Sequence, residues 1–161
     1  MKAKGLRWGM LLAVVATLSA CGGGGTVKRV SEPNASIQQL TVRPDGKWSV
    51  DLRLDNFSSV TMRFDTVSLA MSVGGESAGT LTGNPALSIG PESADVATLT
   101  LMPTSAAKIV VADALSGRRS LSYSLEGTIS AVPENDNKAR NFQVSRDSAL
   151  NPAPGLPGVL R

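Results

Sequence analysis

Residues 48–56 read WSVDLRLDN. Trp48, Val50, Leu52 and Leu54 fall on one side of an extended chain. Ser49, Asp51, Arg53 and Asp55 fall on the other. Successive side chains of a strand point to opposite faces, so this strict alternation predicts a strand with one packed face and one wet face. The same period of two continues on both sides. Upstream, SIQQLTVR (36–43) leads into the turn RPDGK (43–47), whose Pro, Asp and Gly each favour turn geometry. Downstream, FSSV (57–60) is a break. TMRFDTVSLAMSV (61–73) then resumes through Val67, Leu69, Met71 and Val73, and Gly74-Gly75 predicts a hairpin into ESAGTLTG (76–83).

Further strands are expected in NPALSIGPES (84–93), which carries Leu87 and Ile89 between turn prolines. DVATLTLMP (95–103) follows, then RSLSYSLEGTISAV (119–132) and RNFQVS (140–145). One segment departs from this period. In TSAAKIVVADALSG (104–117), Ala107, Val110, Val111, Ala114 and Leu115 form an apolar helical stripe. Thr104 or Ser105 can cap its start and Gly117 can end it, while the β-branched run Ile109–Val111 keeps a strand in play. NPAPGLPGVLR (151–161), with three prolines and two glycines, is expected to lie on the surface or fray, as part of a tail over 146–161. About seven or eight antiparallel strands with turns every 8 to 12 residues predict an all-β sandwich with one short helix.

The first 35 residues are of another kind. MKAKGLR is a basic start, and WGMLLAVVATLSA gives thirteen apolar or small residues. That is short of the roughly 17–25 residues of a spanning helix, and it suits a secretory h-region. Residues 1–20 are therefore expected to be a signal peptide. Its end, Leu18-Ser19-Ala20 before the chain's single cysteine, Cys21, resembles the bacterial lipobox. The resemblance implies recognition of Leu18, Ser19 and Ala20 by the lipoprotein signal peptidase and thioether-linked diacylglycerol on Cys21. It also implies N-acylation, for example by palmitate, of the new terminus. Two acyl chains already anchor a protein stably. Gly22 stands where an Asp would signal inner-membrane retention, so the expected address is the periplasmic face of the outer membrane.

GGGGTVKRVSEPNA (22–35) reads as a flexible tether of fourteen residues, with a reach limited to about 50 Å. A phosphate-cradling loop would need a strand before it and Gly-Lys-Ser/Thr at a helix start after it, and neither is present.

Charge and composition narrow the function. Three of the sixteen Lys and Arg residues precede Cys21, and the other thirteen balance thirteen Asp and Glu. No basic stripe remains for a nucleic acid. The chain has no histidine, which removes the commonest general base and metal ligand, and one thiol builds neither a disulfide nor a Cys-based zinc site. Ser105-Ala106-Ala107-Lys108 matches the Ser-x-x-Lys nucleophile motif, but no Ser-Asp-Asn or Lys-Thr-Gly follows, so a capping serine and a solvated lysine are the better reading.

Asp51, Arg53 and Asp55 read as the wet face of a strand before an acid pair. Glu134, Asn135 and Asp136 read as a polar turn before a calcium site, since the EF-hand spacing is missing. Trp48 and Tyr123 are expected as core anchors before ligand-stacking residues. Arg118 and Arg119 follow the helix, where cations suit its dipole, a reading that ranks ahead of a lipid headgroup contact.

The order of elements resembles the group 2 late embryogenesis abundant family, the water stress and hypersensitive response (WHy) domain. The matching stretches are LRLDNFSS (52–59), VSLAMSVGGESAGTL (67–81), IGPESADVATLTL (89–101) and, best, LSYSLEGTIS (121–130) with Tyr123 and Gly127 in place. They span roughly 36–145. One departure is that Asp55-Asn56-Phe57 stands where the family has Asn-Pro-Asn, which leaves the turn geometry there open. The resemblance implies a fibronectin type III-like, immunoglobulin-like sandwich without shared catalytic residues or cofactors. It also implies a protective role under water or envelope stress, or binding of proteins or lipids. The sequence thus leads to the expectation of a lipid-anchored, non-enzymatic envelope protein whose partners are the membrane and a protein or lipid. The alternative is a carrier of lipid or another apolar ligand, and a cell-wall hydrolase ranks behind both.

Overall fold

A computed structural model describes residues 27–161. The expected signal peptide, Leu18, Ser19, Ala20 and Cys21, and the four glycines lie outside the described residues. The strands are β1 (Asn34–Val42), β2 (Trp48–Asn56), β3 (Met62–Val73), β4 (Glu76–Gly83), β5 (Leu87–Ile89) and β6 (Ser93–Leu101). After helix α1 (Ser105–Ser116) come β7 (Leu121–Pro133), β8 (Arg140–Leu150) and β9 (Val159–Leu160). Two antiparallel sheets form a sandwich. One has the order β6-β2-β1-β9, and the other has β4-β3-β7-β8 with β5 paired to β3. Seven strands are long, and β5 and β9 are short additions.

The alternation in β2 plays out as expected. Trp48, Val50, Leu52 and Leu54 are buried, and the intervening side chains reach water. Facing them from the other sheet are Phe64, Leu69, Met71, Leu125 and Ile129. Each large buried side chain contributes about 1.5–3 kcal/mol. Strand β3 needs one device more. Met62 and Phe64 are buried on even numbers, but Val67 to Val73 are buried on odd ones. A β-bulge between Phe64 and Thr66 inserts the extra residue, Asp65, that switches the parity so both halves face the core.

Gly127 in β7 lies so close to β3 that a Cβ there would sit 2.2 Å from the Ser68 carbonyl oxygen, at a φ of +154°. Tyr123, beside it on the same strand, is buried and its hydroxyl accepts from the Ile37 N–H of the other sheet at 3.1 Å.

Two expectations are corrected at the ends of the fold. The tether was expected to run through Ala35, but residues 29–35 belong to the folded body. Arg29 and Ser31 donate their N–H groups to Ser59 and Ser58, and Ala35 is buried in β1. The tail expected from 146 is also part of the sandwich. β8 runs to Leu150, and the chain then turns back so that β9 adds to the edge of β1, Leu40 opposite Leu160. Proline excludes a central strand but permits this edge.

Helix α1 is capped by Thr104, whose hydroxyl accepts from the Ala107 N–H at 3.2 Å. Gly117 does follow the helix, but in a right-handed conformation. Arg118 instead takes the left-handed position, at φ +51°.

Candidate functional site

The strands separate two ends. At one, the entering segment 27–33 meets the β2–β3 loop (57–61), the β5–β6 turn and the β7–β8 turn. The Glu92 N–H donates to the Ser58 carbonyl and the Glu134 N–H to the Thr61 carbonyl. A buried polar knot holds this end. Asn56 is 1 % exposed, and its Nδ2 donates to the carbonyls of Val60, Ile89 and Gly90 at 2.9–3.0 Å. Its Oδ1 accepts from the Ser58 N–H. One amide thereby ties the β2–β3 loop to the β5–β6 turn, doing the turn-fixing work without a following proline. The missing proline is visible in the sequence, but this role of Asn56 is not. Asn56 falls on the buried parity of β2, and that was the available signal.

At the other end lie α1, the β1–β2 and β3–β4 turns and the loop 151–158. Between the C-terminal half of α1 and that loop runs a groove of about 900 Å³. Ala112, Leu115 and Arg118 line one wall, and Pro152, Pro154 and Leu156 line the other. Arg118 has no ion-pair partner among the described residues, whereas Arg119 is paired with Asp113. Reading 151–161 as a surface tail hid this groove. The apolar pair Val159-Leu160 at the end of a turn-rich stretch was the only hint that the chain returns to the body.

The other sequence candidates are placed apart from both features. Ser105 is exposed at the start of α1. The exposed Lys108 points toward the β1–β2 turn, its Nζ 3.4 Å from where a Cβ on Gly46 would stand. No hydrogen bond joins Ser105 to Lys108 among the described residues. On β2, Arg53 pairs with Asp55 at 2.9 Å, and Asp51 accepts from Thr98 of β6 at 2.8 Å, so this row is a hydrogen-bonded strand face. In the β7–β8 turn the Asp136 carboxylate is engaged by Arg140. Trp48 and Tyr123 are both buried in the core.

The Arg63–Asp65 pair lies at the β3 bulge. The guanidinium donates to both carboxylate oxygens and holds the Asp65 carboxyl below the usual aspartate range. Among the described residues no helix is long and apolar enough to cross a membrane.

Comparison with known proteins gives likeness in fold. No family model matches the chain, and no curated protein does. A crystal structure of a protein from Archaeoglobus fulgidus matches with a TM-score of 0.43 at 13 % identity, over 78 % of this chain and 98 % of that one. A solution structure of a protein from Arabidopsis thaliana matches at 0.47 and 12 %, over 78 % and 82 %. An X-ray structure of a structural-genomics target matches at 0.45 and 12 %, over 80 % and 92 %.

Proposed function

We propose that this chain is a lipid-anchored, non-enzymatic β-sandwich of the WHy type, held on the periplasmic face of the outer membrane. Its role is binding or protection in the cell envelope, including under desiccation or other stress. The observation that carries the reading is the chain's only cysteine, Cys21, placed after Leu18-Ser19-Ala20 at the close of an apolar run and six residues before the folded body begins. The order of WHy-like stretches supports the domain type. Membrane fractionation tests the anchor. The native chain should stay with membranes through a high-salt wash, and a Cys21→Ala variant should be released. Retention of that variant, or a mature mass without acyl groups, would sink the reading.

A carrier of lipid or another apolar ligand is the second reading, and the apolar groove beside α1 favours it. Native mass spectrometry of the purified protein should then show a co-purifying lipid. Its absence, together with no thermal shift on adding lipid, would count against a carrier.

A further inference from the structure

We infer that the end of the sandwich at Val27 rests on the bilayer surface, with the Phe57 side chain in the lipid interface. The inference rests on the reading of Cys21 as the lipid anchor and adds an orientation to it. Three observations carry it. The first is reach. Segment 27–31 is laced to the β2–β3 loop, since Ser59 Oγ donates to the Val27 carbonyl at 3.0 Å and the Ser59 N–H donates to the Arg29 carbonyl. Six residue steps separate Val27 from Cys21, and even fully extended they span only about 20 Å. The fold therefore starts near the membrane and has little slack.

The second observation is chemistry. Phe57 sits at the tip of the same loop, 51 % exposed, and Val27 is 81 % exposed. The Arg29 guanidinium donates to the Phe57 carbonyl at 3.1 Å, which fixes the loop backbone and leaves the ring outward. Peripheral segments enter the boundary between headgroups and acyl chains with Trp, Phe and Leu side chains, so a bilayer is a suitable occupant for this tip.

The third is charge. Arg29 faces Glu92 at 3.6 Å, Arg140 engages Asp136, and Lys28 and Lys138 are offset by Glu32 and Glu134. The end carries no net attraction for anionic lipid, so the contact is apolar and indifferent to lipid charge. The far end also exposes apolar side chains, Met102, Ile109 and Leu156, but they lie a strand length away, about 30 Å along β1, beyond the reach of a chain anchored at Cys21 that enters the fold at Val27.

Fluorescence in vesicles tests this. The acylated protein is reconstituted in vesicles containing brominated phosphatidylcholine, with and without phosphatidylglycerol. Trp48, buried at the far end of β2, is the internal reference, and Phe57→Trp and Ile109→Trp each add a reporter. The indole introduced by Phe57→Trp should be quenched, equally in both vesicle types, since apolar side chains of peripheral segments sit about 5–10 Å into the headgroup boundary. The indole from Ile109→Trp should be unchanged. Flotation of the same samples separates the two readings. A protein that floats without quenching at position 57, or with equal quenching at 109, overturns the orientation and leaves the anchor standing. A protein that does not float removes the anchor and the orientation with it.

Discussion

Asn56→Asp exchanges two N–H donors for an oxygen in a site walled by three carbonyls. Asn56 donates to Val60, Ile89 and Gly90 and is 1 % exposed, so solvent cannot replace what is lost. Each buried acceptor left without a partner costs about 1–3 kcal/mol. Protonated, the carboxyl can donate to one carbonyl, and a variant at low pH is destabilised by about 2–4 kcal/mol. Ionised, it sets a negative charge against three carbonyl oxygens, so its folded pKa lies above the ordinary value near 3.9. The native state then binds more protons than the unfolded chain, and stability falls as pH rises from about 4 toward the folded pKa, by up to about 1.4 kcal/mol per unit. Against a typical total of about 5–15 kcal/mol, that can unfold the domain near neutrality.

The chain has no histidine, so the native protein should be flat in this respect between about pH 5.5 and 8, and the slope stands out. Urea unfolding followed by the fluorescence of buried Trp48 measures it, with Asn56→Ala as the pH-independent control. Parallel stability curves for Asn56→Asp and the native chain from pH 4 to 8 would show that Asn56 does not hold the knot.

Gly127→Ala should destabilise by about 3 kcal/mol, because its Cβ would press on the Ser68 carbonyl at a backbone angle that side chains avoid; a loss under about 0.5 kcal/mol in urea unfolding would mean that the two strands separate easily. Leu160→Ala should cost about 2–4 kcal/mol and lower Tm, since Leu160 is fully buried against β1; an unchanged melting curve would return the last residues to a frayed tail. Asp65 should titrate below the ordinary aspartate range by carboxyl NMR and return to about 3.9 in Arg63→Gln. Its folded pKa is depressed, so its small contribution is present above the unfolded value and lost as pH falls through the folded one.

What could be read from sequence followed the regularity of the local pattern. In β2 burial depends on parity alone, and WSVDLRLDN predicts its faces residue by residue. In β3 the bulge at Asp65 reverses the parity, and no residue type there announces it, since the extra residue is settled by pairing with β7. Helix α1 was legible from its stripe, yet its exit was not. Glycine usually takes the left-handed position, but here the Arg119 N–H reaches back to the Ala114 carbonyl and Arg118 supplies the turn. The C-terminal segment misled because proline density describes what a chain cannot do in a sheet's centre. It is silent about a two-residue edge strand whose leucine fills the core.

The corrections at the two ends act together on the proposed function. A fourteen-residue tether would let the domain wander anywhere within about 50 Å of the membrane. With residues 29–35 docked on the body, the proposed anchor at Cys21 would lie no more than about 20 Å of extended chain from Val27, and β1 adds about 30 Å of strand. The overall reach is similar, but its character differs. The groove between α1 and the returning C-terminal loop is carried at the end of a stiff spacer, pointing away from the end that enters the fold. A partner of the envelope held in that groove would meet it at a defined height. A lipid drawn from the same membrane would have to climb the length of the sandwich first. That difference in geometry favours binding of a partner beyond the membrane surface over carriage of lipid from it.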